Sequence, residues 1–352
     1  MEKAMITERI RLTHTPADEE AYRKAGEIIK NGGLVAFPTE TVYGLGGDAF
    51  SAESSRKIYA AKGRPSDNPL IIHIAEKKDV RALTPVSAET AGLLADAFWP
   101  GPLTMILPKR EEVPYETTGG LDTVAIRMPD HAAALSFIRH AGGFIAAPSA
   151  NRSGRPSPTN ASHVWEDLSG RIELILDDGE TEVGLESTIV DLCGPVPMIL
   201  RPGFITQKDL SEVIGEVSLD PGFAGNAKER PKAPGMKYRH YAPRAEMILV
   251  KGTTDAVVSA INRLASEEEE KGIRVGILSS EETKESYTCG TVLSVGFRKH
   301  EEEVARSLYA VLRRFDEIGV QKIYSEDFSG SGLSYAIENR MKKAAGNKEL
   351  IV

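Results

Sequence analysis

The chain has 352 residues, more than one hydrophobic core usually serves, so its length predicts two domains. A hydrophobic fraction of 41% and a charged fraction of 27% are ordinary for globular proteins and argue against a disordered or fibrous chain. The formal net charge of −8 argues against a surface that coats nucleic acid through an excess of Lys and Arg.

The cysteines and the N-terminus indicate a reducing location. Cys193 and Cys289 lie far apart and outside any zinc-binding spacing, so we expect two free thiols. The first residues, MEKAMITERIRL, lack both the apolar core of a signal peptide and the basic run of a transit peptide. No apolar stretch has membrane-spanning length, so the sequence predicts a cytoplasmic protein without membrane contact.

Helix and strand patterns alternate over residues 1–205, which we predict to be one α/β domain. Its first helix should begin with Thr15 as the N-cap and Pro16 in the first helical position, and should end at Gly32. Further helices are predicted in SAESSRKIYAAK, SAETAGLLADAF and DHAAALSFIRHA. Strands are predicted at 34–37, 70–74, 103–107, 123–127, 144–147, 172–176, 187–192 and 198–200. Several strands follow one another without a helix, which predicts a mixed sheet.

Residues 206–245 are predicted to be a linker, followed by a smaller α/β domain at 246–352. The linker ends in DPGFAGNAKERPKAPGMKYRHYAPRA, which is rich in Pro and Gly and has little apolar periodicity. Regular alternation then resumes with strands in EMILVKG, RVGILSS, TVLSVG and KIYSED, and with helices at 254–271, in EEEVARSLYAVLRRFDEIG and in a segment ending ENRMKKAAG. This pattern predicts a mainly parallel sheet flanked by helices.

A tight turn in KGRPSDN combines two cations with a helix end. Lys62 and Arg64 flank Gly63, which can take the left-handed conformation that ends a helix. Arg64 precedes a proline, so its planar guanidinium stands on a stiff backbone suited to phosphate oxygens, and Lys62 adds a point charge. Basic residues in a last helical turn can also do no more than complement the helix dipole.

Small polar side chains follow the strand FIAA in FIAAPSANRSGRPSPT. Loops beyond the carboxyl end of a strand commonly contact ligands in α/β sheets, so Ser149 and Asn151 are candidate binding residues. The alternative is a solvated turn, the commonest structure for Ser-, Pro- and Asn-rich stretches.

The glycines of FPTETVYGLGGDAF fit a G-x-G-x-x-A pattern, which can mark a dinucleotide site. We reject that interpretation because the preceding strand ends well before Gly44 and no acidic residue stands at the ribose-binding spacing. The chain also lacks a phosphate-binding P-loop, an HExxH motif and a GxSxG elbow, which argues against P-loop hydrolases, zinc proteases and α/β-hydrolases.

Five motifs in this order, FPTETVYGLG, KGRPSDNPLIIH, PSAN, LESTIVD and RPG, together with the linker sequence HYAP, resemble the YrdC-like family. The two-domain organisation is similar to that of its threonylcarbamoyl-AMP synthases. The resemblance implies a twisted mixed sheet with flanking helices and a concave ligand cavity. It also implies that the enzyme forms L-threonylcarbamoyladenylate and pyrophosphate from L-threonine, bicarbonate or CO2, and ATP with Mg2+. The product serves a tRNA modification beside the anticodon, through downstream threonylcarbamoyl-transfer proteins.

The same resemblance implies a role for each matching residue. The ATP-binding residues would be Lys62, Arg64, Asn68, Thr123, Asn151, Thr159, Arg201 and, in a linker that closes over the site, Tyr241. The threonine-binding residues would be Thr41, His73, Arg127, Ser149 and Ser187. The catalytic residues would be Lys62, Arg64, Ser149 and Asn151, with Mg2+ held by ATP phosphates and no protein metal ligand.

These residues also have simpler interpretations. Thr123 and Arg127 could form a polar strand face, His73 could be a hydrogen-bonded core imidazole, and the linker could be a solvated tether. On the functional interpretation, Lys62 and Arg64 should face Ser149 and Asn151 across one cavity. We then expect Lys62→Ala and Asn151→Ala to weaken turnover strongly with little change in thermal melting.

Two other functions stay open at this point. One is a carbamoyltransferase that uses carbamoyl phosphate, although YrdC-like proteins of that kind carry CxxC elements that this chain lacks. The other is a double-stranded RNA or tRNA binding module without catalysis, which the acidic net charge disfavours. A contact with tRNA or double-stranded RNA is also possible for an enzyme.

Overall fold

A computed structural model describes residues 5–85, 89–220, 231, 233–234 and 240–352. The chain forms two compact units, the first comprising Met1–Ser153 and Ser157–Lys237 and the second Gly154–Pro156 and Tyr238–Val352. Much of the Pro- and Gly-rich stretch of the predicted linker, namely 221–230, 232 and 235–239, lies outside the described residues. Across the described ranges, none of the helices has the length and apolar character needed to cross a membrane.

The first unit is built on a large mixed sheet with helices on both faces. Its strands are β1 (Glu8–Arg11), β2 (Val35–Phe37), β3 (Gly44–Asp48), β4 (Ile71–Ile74), β5 (Leu103–Pro108), β6 (Thr123–Arg127), β7 (Phe144–Ala147), β8 (Leu174–Asp177), β9 (Thr188–Asp191), β10 (Met198–Arg201) and β11 (Ser218–Leu219). In the described part of the chain they pair in the order β1-β8-β2-β3-β7-β4-β6-β5-β9-β10-β11. Parallel and antiparallel pairs both occur, as predicted.

The helices of the first unit form two layers. They are α1 (Asp18–Lys30), α2 (Ala52–Lys62), α3 (Glu89–Phe98), α4 (Ala132–His140), α5 (Ala161–Leu168) and α6 (Gln207–Ile214), with a 3-10 helix at Lys77–Ala82. Helices α1 and α4 bury Ala25 and Phe137 against Phe37 and Ile145 of the sheet. Helices α2, α3, α5 and α6 contribute to a second core on the opposite face of the sheet. Successive strand residues point to opposite faces, so this core uses the strand residues that alternate with those of the first core.

The first helix begins later than the sequence predicts. Its N-cap is Ala17 rather than Thr15, and Pro16 precedes the helix. The carboxylate of Asp18 accepts hydrogen bonds from the backbone N–H groups of Thr13 and His14, which holds the preceding turn outside the helix. The two residues at the start of the predicted segment SAETAGLLADAF lie outside the described residues, and α3 is described from Glu89.

Several elements of the first unit are absent from the prediction. They are β1, β3, β11, α5 and α6. Helix α6 and strand β11 lie within the predicted linker 206–245, and β11 pairs in parallel with β10 of the large sheet. Strand β3 runs through the glycine-rich stretch and pairs antiparallel with β2, so those glycines lie in a strand and not in a turn that opens a helix.

The second unit contains a smaller parallel sheet. Its strands are β12 (Glu246–Lys251), β13 (Val275–Ser279), β14 (Thr291–Ser294), β15 (Lys322–Glu326) and β16 (Glu349–Ile351), and its helices are α7 (Thr254–Glu269), α8 (Glu301–Ile318) and α9 (Leu333–Ala344). Within the described residues the strands pair in the order β14-β13-β15-β12-β16, and the pairs are parallel. This architecture confirms the predicted fold class; β16 is the one strand here that the sequence did not predict.

Candidate functional site

Three neighbouring strands carry a row of buried polar residues. His73 on β4 is the register partner of Arg127 on β6, and Arg127 is the partner of Thr104 on β5. Directly opposed residues in a sheet point to the same face, so these three side chains lie side by side. His73 is 4% exposed, Arg127 4% and Thr104 0%, so the row is almost fully shielded from water. We call His73, Arg127 and Thr104 the polar row.

Arg127 is held from several directions. Its Nη1 donates to Thr41 Oγ1 at 2.9 Å, and its Nε donates to the Gly101 carbonyl oxygen at 3.4 Å. Its Nη2 lies 2.6 Å from Glu40 Oε2 in a buried ion pair. Glu40 and Thr41 are kept in place because their carbonyl oxygens accept backbone N–H groups from Val183 and Gly184. A guanidinium oriented in this way can bind a carboxylate through two hydrogen bonds.

Ser187 and Arg201 lie beside the polar row, next to Thr104. Ser187 Oγ lies 2.7 Å from Thr104 Oγ1. Arg201 donates from Nη2 to Ser187 Oγ at 3.1 Å and from Nε to the Ser187 carbonyl oxygen at 3.0 Å. Because Ser187 directly precedes β9 and Arg201 ends β10, the strand order brings these residues together from distant parts of the sequence.

His73 is a neutral imidazole at physiological pH. Burial lowers its pKa from 6.5 to about 3, and the nearby positive charge of Arg127 acts in the same direction. Its Nδ1 donates to the Ile71 carbonyl oxygen at 3.2 Å, and its ring meets that of Phe37 edge-on. His73 is therefore both a hydrogen-bonded core residue, as one interpretation predicts, and a member of the polar row.

A second cluster joins the end of α2 to the loop after β7. Helix α2 ends at Gly63, whose φ of 61° is the predicted left-handed conformation. Lys62, which is only 2% exposed, donates from Nζ to the carbonyl oxygens of Ser149 and Asn151. Ser149 Oγ in turn donates to Asn151 Oδ1 at 2.5 Å. Lys62 thus contacts Ser149 and Asn151 directly and does not face them across a gap, because a buried ammonium needs acceptors.

Arg64 and Asn68 lie beside this cluster. Arg64 donates to the carbonyl oxygens of Asn68 and Pro69, at 3.3 and 3.0 Å. Asn68 is 1% exposed, and its Oδ1 has no hydrogen-bond partner among the described residues. Thr123 is the first residue of β6, where it pairs with Pro108 of β5. Thr123 and Arg127 share one face of β6, about 13 Å apart at the usual rise per residue.

The remaining predicted residues lie further along the chain. Thr159 is 5% exposed, and its N–H donates to His163 Nδ1 at 3.3 Å. Tyr241 belongs to the second unit, where its ring stacks on Tyr309 with centroids 5.3 Å apart and the Arg340 guanidinium lies 5.7 Å from its centre. All the other predicted site residues lie in the first unit.

Sequence reasoning missed two residues of this region, Glu40 and Thr104. Glu40 stands between two threonines in FPTETVYGLG, and an acid among hydroxyl residues soon after the predicted strand 34–37 was the available signal. Thr104 lies in the predicted strand LTMIL as one polar residue among apolar ones. Its pairing with Arg127 depends on the register between β5 and β6, which sequence periodicity does not specify.

The described residues contain no group of three or more His, Cys, Asp and Glu side chains arranged to hold a metal ion. The protein atoms near Lys62 and Asn151 that could ligate a metal ion are amide, hydroxyl and carbonyl oxygens. Such oxygens suit a hard cation that keeps its phosphate and water ligands. A cavity of about 430 Å³ lies elsewhere in the first unit, lined in part by Trp99, Met105 and Arg110. Because Met105 and Thr104 are neighbours on one strand, this cavity opens on the opposite face from the polar row.

Two family models together match most of the chain. A model for Sua5, YciO and YrdC proteins, described as "Telomere recombination", matches residues 27–203. A model described as "Threonylcarbamoyl-AMP synthase, C-terminal domain" matches residues 205–346. The two matches correspond to the large mixed-sheet unit and the parallel-sheet unit of the fold. The chain is therefore a two-domain protein of the Sua5/YrdC type.

Relatives extend the match over nearly the full chain. A threonylcarbamoyl-AMP synthase of Pyrococcus abyssi is 49% identical over 94% of this chain and 95% of its own length. One from Bacillus subtilis is 48% identical over 92% of this chain and 93% of its own. The crystal structure of P. abyssi Sua5 complexed with L-threonine superposes with a TM-score of 0.92 at 47% identity, covering 99% of this chain and 100% of that one. The chain belongs to the threonylcarbamoyl-AMP synthase family, which confirms the resemblance.

Proposed function

We propose that this protein forms L-threonylcarbamoyladenylate and pyrophosphate from L-threonine, CO2 or bicarbonate, and ATP. The observation that carries the proposal is the position of Arg127. It is a buried cation already oriented by Thr41, on the same sheet face as Thr123 and about 13 Å from it. That spacing accommodates an amino acid beside an extended triphosphate. The P. abyssi relative was crystallised with L-threonine, which supports the same ligand here.

In this proposal the polar row binds threonine. Arg127 holds the carboxylate through a two-pronged interaction. Thr41, Ser149 and Ser187 supply hydroxyl groups, and His73 supplies a neutral imidazole that adds no competing charge beside Arg127. Ser187 is fixed for this role by Thr104 and Arg201.

The nucleotide would lie over Lys62, Arg64 and the loop that carries Asn151. Cations here offset phosphate charge, and the buried Asn68 Oδ1 is an acceptor for a ligand N–H or O–H group. Thr123, Thr159, Arg201 and Tyr241 are the further proposed nucleotide contacts. We assign residues 1–205, together with α6 and β11, to the catalytic domain, the remainder of 206–245 to a linker that would close over the site, and 246–352 to the second domain. Mg2+ would arrive with the ATP phosphates.

The chemistry requires positioning rather than a protein nucleophile. The threonine amine attacks CO2 and loses a proton, which gives a carbamate. A carbamate oxygen then attacks the α-phosphorus of ATP while the bond to the β-phosphate breaks and pyrophosphate leaves. Lys62 and Arg64 stabilise charge on the departing group, and precise placement of the reactants supplies much of the rate. The product would pass to proteins that transfer the threonylcarbamoyl group to tRNA.

The test is to incubate the purified protein with ATP, Mg2+, bicarbonate and labelled L-threonine, and to measure pyrophosphate and the labelled adenylate. Both products should depend on threonine, and both should fall when bicarbonate is omitted from CO2-free buffer. Equal pyrophosphate release without threonine would overturn the proposal. Salt-dependent RNA binding that ATP does not affect, with no product formed, would favour a nucleic-acid-binding module instead.

A further inference from the structure

We propose that Glu40 binds the α-amino group of the amino acid substrate. Glu40 and Arg127 would then recognise the two charges of the zwitterion. The Arg127 guanidinium would bind the substrate carboxylate, and the Glu40 carboxylate would bind the substrate ammonium group. This inference rests on the proposed function, because it assumes that an amino acid occupies the polar row. It assigns a contact to a residue that lies within the motif FPTETVYGLG but was not among the predicted site residues.

The position of Glu40 is the first support. Its Oε2 lies 2.6 Å from Arg127 Nη2, so the carboxylate is next to the cation that would hold the substrate carboxylate. The two charged groups of an α-amino acid are joined through a single carbon. A group that binds the amine must therefore lie within a few ångströms of the group that binds the carboxylate, and Glu40 meets this requirement.

The second support is the hydrogen bonding of Glu40. The residue is 4% exposed, and neither carboxylate oxygen has a hydrogen-bond partner among the described residues. Buried carboxylates normally accept several hydrogen bonds, because an ionised group without them is expensive to remove from water. The ion pair with Arg127 supplies charge compensation at Oε2 but leaves both oxygens able to accept N–H groups. An ammonium group carries three such donors.

Among the hydroxyl and cationic side chains around Arg127, none is a better partner for an amine. Thr41 Oγ1 already accepts from Arg127 and lies 2.9 Å from Thr39 Oγ1. Ser187 Oγ is engaged by Thr104 and Arg201. Arg127 and Arg201 repel a cation, whereas the Glu40 carboxylate attracts one. The alternative role for Glu40 is to orient Arg127 alone, and the experiment must separate the two.

The experiment compares two ligands on two proteins by calorimetry. 3-Hydroxybutanoate keeps the carboxylate, hydroxyl and methyl groups of threonine and lacks only the amine. Charged hydrogen bonds of this kind correspond to a roughly ten- to hundredfold change in Kd, so Glu40→Gln should weaken L-threonine binding by that factor. It should change 3-hydroxybutanoate binding less than about threefold. Parallel weakening of both ligands would mean that Glu40 acts only through Arg127, and no change for either would also overturn the proposal.

The control is Glu182→Gln, which removes the same charge from an exposed neighbouring position and should leave both affinities unchanged. Thermal melting shows whether each variant folds. If Glu40→Gln does not, Glu40→Asp gives the same comparison, because it keeps the charge but retracts it and should weaken threonine selectively. Failure of wild type to bind L-threonine would reject the proposed function. Equal wild-type affinity for both ligands would reject only the role of Glu40.

Discussion

The ammonium group of Lys62 donates to the main-chain carbonyl oxygens of both Ser149 and Asn151. Two motifs almost ninety residues apart are thereby joined by one buried side chain. The backbone N–H of Ser153 also donates to the Lys62 carbonyl oxygen at 2.9 Å, so the contact has a main-chain component. Lys62 consequently supports the loop after β7 as well as being a candidate phosphate ligand.

This contact changes the expectation for Lys62→Ala. The substitution leaves two carbonyl oxygens without their charged donor, so we predict a loss of about 2 to 3 kcal/mol in unfolding free energy together with the loss of turnover. Urea unfolding measures the first effect and pyrophosphate release the second. Lys57→Ala is the control, because this exposed lysine on the same helix donates a hydrogen bond to the Gly32 carbonyl oxygen. Unchanged stability in Lys62→Ala would mean that the ammonium does not make these contacts in solution.

Arg127→Lys tests the two-pronged recognition of the substrate carboxylate. Lysine keeps the charge but loses the planar fork that reaches Thr41 and Glu40, so L-threonine should bind at least tenfold more weakly. ATP affinity should change much less. Calorimetric titration with each ligand measures both, and the exposed Arg139→Lys serves as control. Equal weakening of ATP and threonine would contradict the assignment of Arg127 to the amino acid.

His73 should make folding stability depend on pH. Burial and the charge of Arg127 lower its folded pKa from 6.5 to about 3. Between these values the unfolded chain binds a proton that the folded protein does not, so stability falls as pH decreases from 6.5 towards 3. The loss of unfolding free energy is about 1.4 kcal/mol per pH unit within that window, and this loss does not occur above pH 6.5.

Urea unfolding of wild type and His73→Gln at pH 7, 6 and 5 isolates this contribution. The difference between the two proteins should shrink as the pH falls, because only in wild type does the unfolded chain gain a proton at residue 73 that the folded protein does not bind. The exposed His300→Gln variant should follow wild type at each pH. A difference that stays constant from pH 7 to pH 5 would show that His73 has an ordinary pKa.

Glu326 should stabilise the second unit. This 1% exposed carboxylate accepts hydrogen bonds from Tyr287 Oη at 2.6 Å, from the Ser280 N–H at 3.2 Å and from Arg298. Burial, followed by the hydrogen bond to Glu326 and then the Glu326 charge, raises the pKa of Tyr287. Glu326→Gln leaves Arg298 without its anion, so we predict a loss of about 3 kcal/mol on unfolding. The exposed Glu285→Gln should cost little in the same urea titration, and an equal cost for both variants would refute the prediction.

Local sequence patterns predicted much of the secondary structure. Strand β6 has the predicted bounds because TVAIR is rich in strand-forming residues and lies between Asp122 and Pro129, two residue types that disfavour strands. The end of α2 at Gly63 was predictable because glycine is the residue type that most readily takes a positive φ. The start of α1 was wrong because the Asp18 side chain competes for backbone donors outside the helix.

Strand β3 shows why other elements were missed. Its sequence, GLGGD, has almost no strand-forming side chains, and glycine generally weakens a strand. The structure supplies the reason for Gly44: a Cβ there would lie 2.9 Å from the Phe37 ring. Phe37 belongs to β2, the antiparallel partner of β3, so this constraint exists only after the two strands pair.

The sequence by itself determined the division into two α/β domains and the order of the motifs that carry the candidate site residues. It could do so because apolar periodicity, turn residues and charge are local properties of the chain. Only the tertiary structure decided that His73, Arg127 and Thr104 form one row, and that Glu40 lies against Arg127. These placements depend on pairing register between strands far apart in sequence, where a shift of one residue would turn each side chain to the opposite face.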